Sequence, residues 1–176
     1  WEAKVDGDGV APAEGMVRPA LADSGEERFH LGRWLPVVDF PPTPAACAAA
    51  ASAPDAGGAL RFAPGGAELE PDELARMDRL AAVVMHCAGR GGLTLTVAGH
   101  TDSTGERDAN VALSRARADA VVTALADRGV AASSMAAVGF GPDRPLADNG
   151  TETGRARNRR IEFLWQPARP VPHPER

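Results

Sequence analysis

Lysine is nearly absent: Lys4 is the one lysine in 176 residues, and the other basic side chains that stay charged are arginines. Acidic residues outnumber basic ones, 24 to 19, for a formal charge of −5. That balance excludes the broad positive field with which a protein meets nucleic acid or an anionic lipid surface, so neither is expected as the main partner. The abundance of Arg, Ala, Gly and Pro is the usage a GC-rich genome favours and carries no mechanism. Long hydrophobic runs are missing too. No uncharged apolar stretch approaches the roughly 18 residues a membrane-crossing helix needs. The opening residues WEAKVDGDGV have neither the basic start nor the apolar middle of a secretory signal. A start at Trp1 is expected of a processed or trimmed product.

Cysteine is scarce as well, with Cys47 and Cys87 alone. An even pair at this separation permits a disulfide closing a loop of about 40 residues, which contributes about 3 to 4 kcal/mol in the chain-entropy picture. Two separate buried thiols, each packing as a small hydrophobe, satisfy the sequence as well. Export to an oxidising compartment would favour the bond.

What remains is enough for one domain with an extension. Residues 1–45, rich in Pro, Gly, Ala and acids, read as an N-terminal extension or linker that buries little surface by itself. Within it, FHLGRWLPVVDF at 29–40 is an apolar island with too many large side chains to leave in water. It either docks on the domain or binds an envelope protein complex.

The folded domain is expected over 46–168, followed by a loose Pro-rich tail at 169–176. PAACAAAASA suits a short helix, and residues 59–63 a short strand leaving through a Pro-Gly turn. PDELARMDRLAAVVMHCAG has Pro at its start, acids in the first turn, and apolar Leu74, Met77, Leu80, Ala81 and Val84 at helical spacing. LTLTVAG alternates as a strand, a second helix runs from about Asp108 to Asp127, and MAAVGFG is a third strand. TETGRARN suits a short helical turn, and RRIEFLW at 159–165 a fourth strand. The order β-α-β-α-β-(short α)-β predicts an α+β fold with a small four-stranded sheet covered on one face by two helices.

One residue stands out against this pattern. The second long helix buries a stripe through Leu113, Val121 and Leu125, and the same stripe passes through Arg117. An arginine there needs an anionic partner or an opening to solvent.

Four motifs in order, GHTDSTG, NVALSRARA, GFGPDRPLADN and GRARNRRIEF, resemble the OmpA-like peptidoglycan-binding domain found in OmpA, Pal and the flagellar stator protein MotB. The resemblance covers roughly residues 58–166. It implies a non-catalytic domain, in the periplasm or cell envelope and associated with the outer membrane, that grips the stem peptide of peptidoglycan at diaminopimelate and anchors a protein or complex to the wall. By the same resemblance Asp102 takes the ligand ammonium and Arg117 its carboxylate, with Thr101, Asn110 and Arg159 in support. No cofactor or metal is implied.

The chemistry agrees. An uncrosslinked diaminopimelate end carries ammonium and carboxylate on one carbon, so its receptor needs an acceptor and a donor a few ångströms apart. Arginine matches a carboxylate with a planar fork, and aspartate is a short, rigid acceptor. Without ligand, Asp102 and Arg117 are expected to pair with each other or with water. The plainer alternative is a salt bridge that only fixes the loop. Arg159, at a strand's first residue, suits either the ligand or solvent, and Asn110 either the ligand or a local hydrogen bond. Arg155, Arg157 and Arg160 read as a solvated basic rim. A second functional class is an interaction subunit of an envelope machine, with protein as its main partner. The pair His100 and Asp102, even with His86 and Cys87, lacks further metal ligands at suitable spacing. Ser114 has no histidine placed to activate it.

Overall fold

The alternation in LTLTVAGH builds the central strand. Leu93, Leu95 and Val97 are buried on one side, while Thr94 and Thr96 on the other are half-buried. The computed structural model describes residues 12–19, 26–58 and 60–168. Its elements are β1 (Val17–Pro19), β2 (Glu26–His30), β3 (Arg33–Pro36), α1 (Pro44–Ala51), α2 (Leu74–Gly91), β4 (Leu93–His100), α3 (Arg107–Ala126), β5 (Met135–Gly141), α4 (Glu152–Asn158) and β6 (Ile161–Pro167). The readings placed on residues 1–11 and on the Pro-rich tail at 169–176 lie outside the described residues.

The central strand β4 runs parallel to β5 and antiparallel to β6, giving a sheet of order β5-β4-β6. Helices α2 and α3 cover one face. Met77, Leu80 and Val84 from α2 and Val121 and Leu125 from α3 meet Leu95, Val97 and Phe163 in one buried cluster. Each side chain of this size contributes on the order of 1.5 to 3 kcal/mol by leaving water. The architecture is the expected α+β arrangement. Two glycines set how closely α3 lies on the sheet: a Cβ on Gly99 would strike the Ser114 carbonyl, and one on Gly139 the backbone at Arg115. Ser114 stitches the same contact, its hydroxyl accepting from the Gly141 N–H at 2.9 Å.

The expectation of four strands is corrected at its first member, the strand at 59–63. Among the described residues this sheet has three strands, and the segment expected at 59–63 forms only an isolated bridge between Phe62 and Leu69. The chain turns back on itself, with the Ala63 N–H bonded to the Glu68 carbonyl and the Glu70 N–H to the Arg61 carbonyl. Pro64 has no N–H to extend a ladder, and the chain at Gly57 closes directly on the Phe163 ring of β6. Glu73 then anchors the turn. It is fully buried and accepts from Arg61 Nε at 2.8 Å and from Arg76 Nη1 at 2.7 Å.

The extension holds more order than its composition suggests. Strands β1, β2 and β3 form an antiparallel sheet. Its β2–β3 hairpin turns through Leu31 and Gly32, both with positive φ, at 46° and 80°, the conformation a two-residue hairpin turn demands. The apolar island faces the domain: Leu35 is buried, and Val38 and Phe40 pack on the core. These three side chains are packed against the domain. Cys47 of α1 and Cys87 of α2 are joined in a disulfide.

Candidate functional site

Strand β4 ends at His100, where its register with β5 shifts. The Thr101 N–H then bonds to the Gly141 carbonyl at 3.0 Å, which fixes the exit of the chain and sets Asp102 at the start of the loop. Asp102 is mostly buried, and its Oδ1 accepts from the Thr104 N–H at 2.8 Å. Such an aspartate turn, closed by the side chain two residues before the donor, holds the carboxylate rigidly. Asn110, in the first turns of α3, donates to the Thr104 carbonyl at 2.8 Å and closes the loop from the helix side. From the other side Asn149 Oδ1 accepts from the Ser103 N–H at 3.2 Å. Asn149 is in turn held by the fully buried Asn158, which also accepts from the N–H groups of Leu146 and Ala147.

The expected pairing of Asp102 with Arg117 is corrected. Asp102 Oδ2 accepts from Arg159 Nη1 at 2.7 Å, while Arg159 Nη2 reaches Glu152 at 2.7 Å. Arg159 does not open the last strand as read; it caps the C-terminus of α4, which turns its side chain toward Asp102. Arg117 is half-buried. Its Nε donates to the Gly66 carbonyl at 2.9 Å, and its guanidinium lies 5.2 Å from the centre of the Phe62 ring. Among the described residues Arg117 has no ion pair, and its two terminal nitrogens have no hydrogen bond.

The electrostatics place the three groups together. Burial draws the Arg117 guanidinium below its ordinary value, the positive Arg159 adds to this, and Asp102 opposes it. Burial raises the Asp102 carboxyl, but the hydrogen bonds from Arg159 and Thr104 and the Arg159 charge outweigh that and leave it below the ordinary carboxylate range. Among the described residues the buried Thr101 hydroxyl has no hydrogen-bond partner. Asp102, Arg117 and Arg159 therefore form one charged cluster, with Thr101 beside Asp102 and Asn110 on α3 closing the loop. It combines a fixed carboxylate with a guanidinium whose outer edge is uncommitted, and that combination suits a ligand bearing both charges.

Of the residues read as a basic rim, Arg157 is exposed, while Arg155 and Arg160 are more tied down than expected. Arg160 is mostly buried and bonded to Glu162, and Arg155 is bonded to Glu152 and to the Asn149 carbonyl. Glu152, Phe62 and Gly66, which hold the two arginines of the cluster, were not visible in the sequence. A backbone carbonyl leaves no signature, and FAPGGAE reads as any turn.

The OmpA family model matches residues 61–159, more than half of the chain. The chain belongs to the OmpA family. Peptidoglycan-binding protein ArfA of Mycobacterium tuberculosis is 39% identical over 126 residues, which are 70% of this chain and 38% of that protein. The chain thus spans about two fifths of the length of this relative. The peptidoglycan-associated lipoprotein of Burkholderia pseudomallei has a similar structure, with a TM-score of 0.54 at 28% identity over 61% of this chain and 88% of that one. The cell wall anchor of the T6SS from Pseudomonas aeruginosa aligns with a TM-score of 0.51 at 30% identity, over 61% and 75% of the two chains. For this OmpA-family chain, no helix among the described residues is long and apolar enough to cross a membrane.

Proposed function

We propose that this chain is the wall-binding module of a cell-envelope protein, located in the periplasm and associated with the outer membrane, which holds peptidoglycan without cleaving it. The ligand is the uncrosslinked end of diaminopimelate in the stem peptide. Its carboxylate seats on the free edge of Arg117 and its ammonium on Asp102, with Thr101 and Asn110 contacting it from the loop. Arg159 yields part of its hold on Asp102 as the ammonium arrives and stays bonded to Glu152. The observation that carries this reading is the uncommitted guanidinium of Arg117 beside a carboxylate already fixed in place. Relatives named for binding peptidoglycan or anchoring to the wall support it.

The test is direct. Purified sacculi should co-sediment the protein, and Arg117→Ala should abolish this while the fold is retained. Soluble muropeptides with diaminopimelate at the third position should bind, and those with lysine there, which lack the paired charges, should not. Equal binding of the two would refute the ligand assignment.

A further inference from the structure

Where the β2–β3 hairpin lies across α2, it leaves a cavity of about 320 Å³. This is at the lower end of the sizes that hold small molecules, roughly 300 to 1,000 Å³. Val37 and Val38, following the hairpin, and Ala82 and Met85, on α2, supply apolar wall. Arg28 and Arg90 line it, one on β2 and one near the end of α2, and among the described residues no acidic one lines it. Among the described residues neither arginine has an ion-pair partner, although Arg79, Arg107 and Arg115, equally on the surface, are each paired with an aspartate. Two histidines also line the cavity, but each already has a partner: Glu14 for His30 and the Phe40 carbonyl for His86. In a chain of charge −5, two unneutralised guanidiniums beside one apolar hollow are an unusual concentration of unmet positive charge.

The geometry points to a second binding site, independent of the Asp102 cluster: the hollow takes a small amphiphile, a phosphate or carboxylate head on a short apolar body. The head lies between Arg28 and Arg90, whose forked donors match either group. The body covers Val37, Val38, Ala82 and Met85. A free amphiphile and the exposed end of an anionic lipid present the same chemistry.

Titration calorimetry with octyl phosphate on the full chain tests this. The expected result is saturable binding with one site per chain, weakened at least tenfold in the Arg28→Gln, Arg90→Gln double variant and unchanged in Arg117→Ala. Both replaced arginines are exposed, so an unshifted thermal midpoint should show that the fold survives. Gly89 lines the hollow, and a Cβ there meets nothing within 4 Å, so Gly89→Phe should fill the space and abolish binding in a folded protein. Flotation with phosphatidylglycerol vesicles, lost in the double variant, would assign the head to a lipid; octyl phosphate binding without flotation would assign a free amphiphile. The proposal fails if no saturable binding appears, if inorganic phosphate binds as tightly as octyl phosphate, or if either the double variant or Gly89→Phe binds like the parent chain.

Discussion

Asp102 is neutralised by Arg159, 57 residues further along the chain, at 2.7 Å, and not by the arginine of the neighbouring helix. The consequence is a division of labour. Arg159 stabilises the empty loop, and Arg117 is left with a free edge. A carboxylate that is already satisfied is not drawn onto Arg117.

Arg117→Ala should therefore separate binding from stability. The variant loses one hydrogen bond to a carbonyl and the contact with Phe62, and no ion pair. Losing a charge-assisted hydrogen bond to a ligand corresponds to about 1.5 to 3 kcal/mol, so sacculus binding should fall by one to two orders of magnitude. The thermal midpoint should move by only a few degrees, read by calorimetry.

Asp102 titrates below the ordinary carboxylate range, so the stability it contributes is present above its unfolded pKa and lost as pH falls through the lower folded value. Wall binding should be flat between about pH 5 and pH 7 as far as this group is concerned, and should drop only in stronger acid. A decline centred near neutrality would show another group in control.

His100 behaves oppositely in range, though by the same linkage. It is buried, and Glu162 stands 3.4 Å from Nε2. Burial lowers its pKa, the Arg160 charge adds to this, and Glu162 opposes it. The folded state thus favours the neutral ring. Its contribution should be complete above about pH 6.5 and shrink as pH falls from there toward the folded value. Urea unfolding across pH 4 to 8 should show that slope in the parent chain and a flatter one in His100→Asn.

Leu31 occupies a left-handed position at φ 46° in the hairpin turn, with most of its side chain exposed. Such a conformation costs an ordinary side chain roughly 1 to 2 kcal/mol, and Asn bears it better. Leu31→Asn should stabilise the protein by about 1 kcal/mol, or roughly 2 to 4 °C in thermal midpoint. A lower midpoint would mean that the leucine's packing outweighs its strain.

Gly99→Ala should act at a distance. The new methyl meets the Ser114 carbonyl, and α3 must shift to admit it. Overpacking of this kind costs about 1 to 3 kcal/mol. Because α3 carries Arg117, the variant should lose sacculus affinity although it alters none of the charged residues. Retained affinity in a destabilised protein would show that the loop, and not the helix, sets the site.

Elements with their own periodicity were legible in the sequence. The alternation at 93–99 and the helical spacing from Met77 to Val84 returned as β4 and α2, and the stripe through Arg117 pointed to the cluster. Long-range choices were not. Whether Asp102 meets Arg117 or Arg159 depends on where α4 ends, and a shift of two residues in the start of the last strand moved Arg159 from a strand to a helix cap. The strand expected at 59–63 failed for a related reason, since a Pro-Gly turn after a short apolar run fits both an edge strand and a chain folded on itself. The order in residues 26–40 comes from contacts with α2, which composition does not record.

The Cys47–Cys87 bond also decides how the molecule bears a load. A pull applied upstream of Cys47 passes through the sulfur bridge straight into the end of α2 and on to the central strand. Residues 48–86, including the turn whose Gly66 carbonyl accepts from Arg117, lie off this covalent route, so the backbone of that turn does not carry the pull.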